Sequence, residues 1–241
     1  MKPIPIIIVI LLIGAFLWLA GFGESKGRVR FSVRLDLVGL DGVSRNATSV
    51  WESKISSNPF GGYHMTLRGV AIVVGDGANG AYAALTRSTY PDGDLASDGT
   101  VMLPEILFRD DARPYLRGNE ESDRVRANRT IGQNPGWSKS MTYAEGLAAK
   151  HPLPFLVHLP DRNSPAGITA ATPTSTSIGP NPTITITITN EEVTTGIADK
   201  LPWMRNRPLV LMLDSKKYDI SRQSGIANQL GTGDFSYTDE R

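Results

Sequence analysis

The pattern most suggestive of chemistry is a glycine-rich hexapeptide, Gly-Asp-Gly-Ala-Asn-Gly, at residues 75–80. It fits G-x-G-x-x-G and follows the strand-like segment VAIVV. In a dinucleotide site such glycines let the backbone approach a pyrophosphate at a helix N-terminus. The surroundings do not fit, because residues 81–87 are too short for a crossover helix and Asp76 would place negative charge beside the phosphates. A hairpin turn is therefore favoured over a nucleotide site, and no cofactor is predicted.

A second candidate is the acidic stretch DGDLASDG at residues 92–99, which resembles the start of a calcium-binding loop. An EF-hand needs an oxygen ligand at its fifth position, glycine at its sixth and an acid at its twelfth. This chain has Ala96, Ser97 and Leu103 there. The pattern favours a solvated turn, with an irregular calcium site as the alternative, and no metal site is predicted.

Histidine chemistry has little support, since His64, His151 and His158 are the three histidines and none lies in an H-E-x-x-H or H-x-x-x-H motif. His158 alternates with apolar neighbours in PFLVHLP, which is typical of a strand histidine. The nucleophile motif G-x-S-x-G does not occur either. Catalytic residues therefore remain unknown. A hydrolase using carboxylates or histidine around residues 151–165 is kept as an alternative.

Composition narrows the possible functions further. With 40% hydrophobic and 20% charged residues in 241, the chain should fold, most simply as one domain. Beyond the first 23 residues 24 basic residues face 24 acidic ones, which argues against a nucleic-acid partner. The absence of cysteine excludes disulfides, thiolate metal sites, a cysteine nucleophile and a lipoprotein anchor.

The elements that must position any site begin with an apolar N-terminus, because residues 3–23 carry no charge and residues 4–22 are nearly all apolar. About 20 such residues in a helix span the hydrocarbon core of a bilayer. The sequence therefore predicts a transmembrane anchor at residues 1–23 that contacts the membrane through residues 4–22. A cleaved signal peptide is the alternative, although its apolar region is usually shorter.

Orientation is less directly encoded. Lys2 precedes the apolar segment and four bases follow it, so a strict positive-inside count keeps the body in the cytoplasm. A two-residue head with one lysine is instead typical of a signal anchor, and long following domains translocate largely regardless of charge. We expect a single-pass protein of the inner (plasma) membrane with an extracytoplasmic body.

Strand patterns dominate the rest of the chain. Residues 28–37 alternate perfectly, with arginines on the polar face, so these bases are interpreted as the wet face of a strand rather than as a lipid-binding patch. Asp41-Gly42 predicts a hairpin into a second strand at residues 43–55. Further strands are expected at residues 65–74, 81–86, 154–159 and 183–189. The last of these, TITITIT, should be covered or central because a flat uncharged edge pairs readily with other edges.

Minor helices are expected near residues 104–108 and 142–150, on either side of a charged loop at residues 118–129. Many short strands with few helices predict a mostly β fold, a β-sandwich or barrel-like body. The mostly β globular domain is assigned to residues 24–213, and residues 214–241 are predicted to form a polar, loosely ordered tail.

Four segments resemble a family of uncharacterised bacterial proteins with one N-terminal hydrophobic segment. They are residues 42–52 (GVSRNATSVWE), 153–157 (LPFLV), 161–165 (DRNSP) and especially 193–203 (VTTGIADKLPW), which carries a T-x-G-I-x-x-x-L-P-W pattern. The resemblance spans residues 4–204 and implies a single-pass, membrane-anchored protein. It assigns no activity and no site residue. Trp203 is expected to pack its segment against the core, with an exposed aromatic for a partner as the alternative.

Together these features predict a membrane-tethered envelope protein that works as a non-enzymatic binding or scaffold module. Its expected partner is a protein or cell-wall component. The alternative is a membrane-tethered hydrolase with carboxylate or histidine chemistry.

Overall fold

Two antiparallel β-sheets form most of the protein in the computed structural model. The structure describes residues 26–39, 41–57, 62–76, 80–89, 95–96, 100–116, 124–171, 182–206 and 235–237. The prediction of a mostly β body with few helices, similar to a β-sandwich, is confirmed. The strands, in chain order, are β1 (Lys26–Val38), β2 (Ser44–Ser57), β3 (Tyr63–Val70), β4 (Ile72–Asp76), β5 (Gly80–Thr89), β6 (Leu95–Ala96), β7 (Ser138–Thr142), β8 (Leu153–Leu159), β9 (Thr169–Ala170), β10 (Thr183–Ile188) and β11 (Ser236–Tyr237).

Short helices connect the strands. They are α1 (Leu103–Ala112), α2 (Arg124–Gly132), α3 (Tyr143–Ala148) and α4 (Ile197–Lys200), with 3-10 turns at Thr100–Met102, Arg113–Tyr115 and Pro202–Asn206. α1 and α3 confirm the two predicted helices. α3 starts at a capping box, in which the Thr142 hydroxyl accepts from the Glu145 amide and the Glu145 carboxylate accepts from Thr142. The charged loop predicted at residues 118–129 is wrong from Arg124 onward, since that part is helical in α2.

The larger sheet has the strand order β11-β3-β2-β1-β10-β7. β1 buries every second residue, as the alternation predicted, and pairs with β2 through the expected hairpin. β10 lies between β1 and β7, so the prediction that TITITIT is covered or central is confirmed. Its isoleucines point into the core, and Thr185 and Thr187 on its outer face bond the hydroxyls of β7.

The chain passes from the larger sheet to the smaller one at a bend between β3 and β4. Residues 65–74 were predicted as one strand, but Ala71 separates two strands that belong to different sheets. Gly69 sits at this bend with φ of +144°, and a Cβ there would lie 3.1 Å from Cγ of Trp51. Trp51 is fully buried, and its indole N–H donates to the Val70 carbonyl at 2.7 Å. Only glycine fits both this backbone angle and this packing.

In the smaller sheet, β4-β5-β8-β9 with β6 beside β5, the strands β5 and β8 are buried on both faces. One face packs against the larger sheet, and the other packs against α4, the turn at Pro202–Asn206 and Phe235. This explains the continuous apolar sequence of β8, because a strand covered on both sides has no wet face. Phe235, which the sequence places in the polar tail, is 0% exposed in this second core.

Two predicted segments fall largely outside the described residues. The anchor at residues 1–23 lies before the first described residue, and most of the tail at residues 214–241 lies outside as well. Across the part of the chain that the structure describes, no helix combines the length and apolar character needed to cross a membrane.

Candidate functional site

Four basic side chains surround one buried carboxylate on the outer face of the larger sheet. We call this group the Glu52 cluster; its members are Arg28, Arg30, Glu52, Lys54 and Arg68. Strand register assembles it, since Arg30 pairs with Glu52 and Glu52 pairs with Arg68 across β1, β2 and β3, and Arg28 lies opposite Lys54. Alternation places all five on the face turned away from the core.

The carboxylate of Glu52 binds its neighbours unequally. Oε2 accepts from Nε of Arg28 at 2.5 Å and from Nε of Arg30 at 2.8 Å. Oε1 lies 3.5 Å from Nζ of Lys54 and 3.7 Å from Nη1 of Arg68, and it accepts no hydrogen bond from the described residues. The glutamate side chain is 0% exposed, whereas its four basic neighbours keep 31% to 51% of their side chains exposed. The four basic side chains therefore cover the Glu52 carboxylate and expose part of their own surface to solvent.

The electrostatic balance of the cluster is positive. Burial disfavours ionisation of Glu52, but hydrogen bonds from Arg30 and Arg28 and the charges of Arg28 and Lys54 outweigh it and lower the pKa of the carboxyl below its usual value. Four cations around one carboxylate leave a net charge of +3. Nε of Arg68 is buried without a hydrogen-bond partner among the described residues. Such a group of partly exposed cations is suited to binding an anion.

A segment following β10 runs past this cluster. The Thr189 amide donates to the Arg30 carbonyl, and Nη1 of Arg30 donates to the Asn190 carbonyl at 3.4 Å. The chain then reaches β2, where the Thr194 amide donates to the Val50 carbonyl and the Val50 amide donates to the Thr194 hydroxyl. Residues 190–194 therefore cross from one side of β1 to the other, close to the cluster.

The T-x-G-I-x-x-x-L-P-W segment continues from this crossing into the second core. Ile197 and Leu201 are buried there, and Trp203 packs edge-on against Phe235 with ring centroids 5.3 Å apart. The prediction that Trp203 holds its segment to the core is confirmed. The segment thus joins the outer face of the larger sheet to the far face of the smaller one.

A second buried carboxylate lies among the helices. Glu105 of α1 is 2% exposed, with Nη1 of Arg109 at 3.0 Å and Nε of Arg124 at 3.9 Å. Here burial outweighs the charges of Arg124 and Arg109, and the pKa of Glu105 is raised. The pKa values of the two buried glutamates are therefore shifted in opposite directions.

The candidate sites predicted from the sequence do not coincide with the Glu52 cluster. Gly75 pairs with Ala81 and Asp76 pairs with Gly80 in the antiparallel strands β4 and β5, so the nucleotide-binding alternative at residues 75–80 is wrong. The candidate calcium loop at residues 92–99 lies outside the described residues except for Leu95 and Ala96. Among the described side chains, no three His, Asp or Glu residues are grouped to hold a metal ion.

The region proposed for a hydrolase, residues 151–165, forms β8 and a turn. The imidazole of His158 packs against the Tyr82 ring with centroids 4.9 Å apart, which agrees with a strand histidine. Asp161 accepts from the backbone and side-chain amides of Asn163 and thereby closes a local turn.

The sequence identified two of the five residues of the Glu52 cluster. It placed Arg28 and Arg30 on the wet face of β1, but it did not bring Glu52, Lys54 and Arg68 to them. The usable signal was Glu52 and Lys54 two positions apart in the second predicted strand, and the missing information was the register between strands.

The fold and this site define an antiparallel β body with a cluster of basic side chains on its outer face. Neither a protein-family model, nor a curated protein, nor a solved structure matches the chain.

Proposed function

We propose that the protein is a membrane-tethered envelope protein that acts by binding rather than by catalysis, with the Glu52 cluster as its binding surface for an anionic partner. In this proposal residues 4–22 hold the chain in the inner membrane and the β body lies outside the cytoplasm. The partner is an anionic component of the membrane or cell wall, or an anionic protein.

The observation that carries the proposal is the net charge of +3 in the Glu52 cluster, on side chains that remain partly exposed. Like charges directly opposite each other destabilise a β-sheet, and Arg28 lies directly opposite Lys54. One glutamate offsets one of the four cations, so stability alone does not account for the arrangement. An anion bound there would complete the neutralisation and would meet preorganised donors.

Binding can be tested with the detergent-solubilised full-length protein on immobilised inorganic polyphosphate, with an uncharged matrix as reference. The K54Q/R68Q double variant removes two cations but leaves both hydrogen bonds from Arg28 and Arg30 to Glu52. We expect weaker retention and a shallower dependence of affinity on salt concentration. R34Q is the matched control, because Arg34 lies on the same face of β1 but pairs with Asp36 at 2.7 Å.

Equal retention of wild type and K54Q/R68Q would contradict the proposed surface. The tether is tested separately by fusing alkaline phosphatase, or a cytoplasmic reporter, to the C-terminus. Phosphatase activity is expected. A protein that repeatedly captures no component from native membranes, and does not bind polyphosphate, is not an envelope binding module.

A further inference from the structure

Positive charge on the larger sheet is concentrated at one end of the β1–β2 hairpin. Near the turn, charges are matched one to one, because Arg34 pairs with Asp36 and Arg45 pairs with Asp41. The other end carries the Glu52 cluster with its excess of three positive charges. The hairpin is therefore electrostatically asymmetric along its length.

The basic end is also the end at which the chain enters the body. β1 starts at Lys26, and Arg28 is the fifth residue after Gly23, where the charge-free segment ends. Five residues reach at most about 18 Å when fully extended. With residues 4–22 in a bilayer, the headgroup phosphates therefore come within reach of the cluster's side chains.

An exposed aromatic residue lies at the same end of the sheet. Tyr63 is the first residue of β3 and pairs with Ser57 of β2, whose neighbour Ser56 pairs with Lys26 at the start of β1. The Tyr63 side chain is 43% exposed. The guanidinium of Arg124 lies 5.7 Å from the centre of its ring. Tyrosine and arginine together are suited to the polar interface of a bilayer, where amphipathic rings and cations both find partners.

From this placement we infer that the anionic partner of the Glu52 cluster is the phospholipid surface of the membrane that holds the anchor, bound through its phosphate groups. The inference rests on the proposed tethered binding function and names its ligand. The basic end of β1 then docks the β body onto the membrane instead of leaving it on a free tether. Arg28 and Arg30 then line the solvent-facing side of β1 and also bind lipid, because Glu52 gathers two further bases beside them.

Two exposed acids provide an internal check on this electrostatic argument. Glu191 and Glu192 directly follow Asn190, whose carbonyl accepts from Arg30. Both carboxylates would be repelled by an anionic surface. The E191Q/E192Q variant should therefore dock more strongly than wild type, whereas K54Q/R68Q should dock more weakly.

The test uses the full-length chain reconstituted in vesicles and takes advantage of the absence of cysteine. A single T66C substitution places a fluorescent label on the outer face beside Lys54, and T48C places one opposite Arg34 as the distant reference. Energy transfer to a headgroup-labelled lipid reports docking. Vesicles contain phosphatidylcholine alone or phosphatidylcholine with phosphatidylglycerol.

We expect the T66C label to approach the headgroups in phosphatidylglycerol vesicles and to move away as salt is raised. K54Q/R68Q should lower the docking equilibrium constant roughly 25-fold, from about fivefold per base, while R34Q leaves it nearly unchanged. Equal transfer from both label positions, or equal transfer in both kinds of vesicle, would overturn the inference.

Failure of this inference is distinguishable from failure of the proposed function. If wild type binds polyphosphate through Lys54 and Arg68 but does not dock on phosphatidylglycerol vesicles, the ligand is another anion and the lipid assignment is wrong. If neither polyphosphate nor vesicles bind in a manner sensitive to these two bases, both proposals are wrong.

Discussion

Replacing Glu52 with glutamine should destabilise the fold at neutral pH and have a smaller effect in acid. The substitution removes the charge that holds Arg28 and Arg30 in place through hydrogen bonds of 2.5 and 2.8 Å. Removing one partner of a buried ion pair typically costs 3–5 kcal/mol. The arginines keep part of their surface in water and can be rehydrated, so we expect the lower limit, about 3 kcal/mol.

The pH dependence follows from the lowered pKa of Glu52. A depressed pKa in the folded state stabilises the protein above the unfolded value of 4.5, and this contribution is lost as pH falls through the folded pKa. The difference between wild type and E52Q should therefore be largest near neutral pH. It should shrink progressively as pH falls from 4.5 through the folded pKa, because the unfolded carboxylate binds a proton before the native one does.

Glu105 provides the control with the opposite sign. Its pKa is raised, so ionisation is less favourable in the folded state, and stability falls as pH rises from 4.5 through the folded pKa. E105Q should therefore retain or gain stability at neutral pH relative to wild type. Urea unfolding of the wild type and both variants across this pH range measures the free energies. A loss in E52Q that does not vary with pH, or pH slopes of the same sign in both variants, would refute the reasoning.

Two further predictions concern packing. G69A should cost about 3 kcal/mol, because alanine resists the positive φ and its Cβ would collide with Trp51. G75A, with nothing within 4 Å of the added Cβ, should stay within about 0.5 kcal/mol of wild type, and similar urea midpoints for the two would contradict this account. W203A should lower stability by about 2 kcal/mol through the lost contact with Phe235. W203F should cost less than half as much, because it keeps a ring and removes an indole N–H that is buried without a partner among the described residues. Equal thermal midpoints for W203A and W203F would contradict this prediction.

Sequence patterns predicted those elements whose structure depends on residues within a single short segment. The alternation in β1, the Asp-Gly turn before β2 and the apolar run of β8 each depend on a few neighbouring residues. Strand and turn preferences are local properties, so these elements could be placed from sequence. The central position of β10 also followed, because an uncharged strand without an edge-protecting side chain needs neighbours on both sides.

The remaining features depend on contacts between distant residues. The split between β3 and β4 arises where Gly69 meets Trp51, and nothing within the run 65–74 shows that Trp51 lies there. α2 forms within a charged stretch because Val125 and Ile131 find buried positions, while Gly27 of β1 lets the helix backbone come close. Tertiary packing outweighs a polar composition in such a helix.

The Glu52 cluster illustrates the same limit at the candidate site. An acid within a polar strand face is ordinarily a solvated residue, and Glu52 is buried because long side chains from three strands fold over it. That outcome requires Arg30, Glu52 and Arg68 to be in register, which pairwise strand order determines and sequence alternation does not.

The position of β1 has a mechanical consequence. A pull transmitted through the residues before Lys26 enters the body along a strand flanked on both sides, with 13 residue pairs to β2 and six to β10. Ladder hydrogen bonds lie perpendicular to the strands, so a force along β1 shears many of them together instead of opening them one at a time. The body should therefore withstand a much larger force applied through this end than a force that peels the two-residue strand β11 from its neighbour β3.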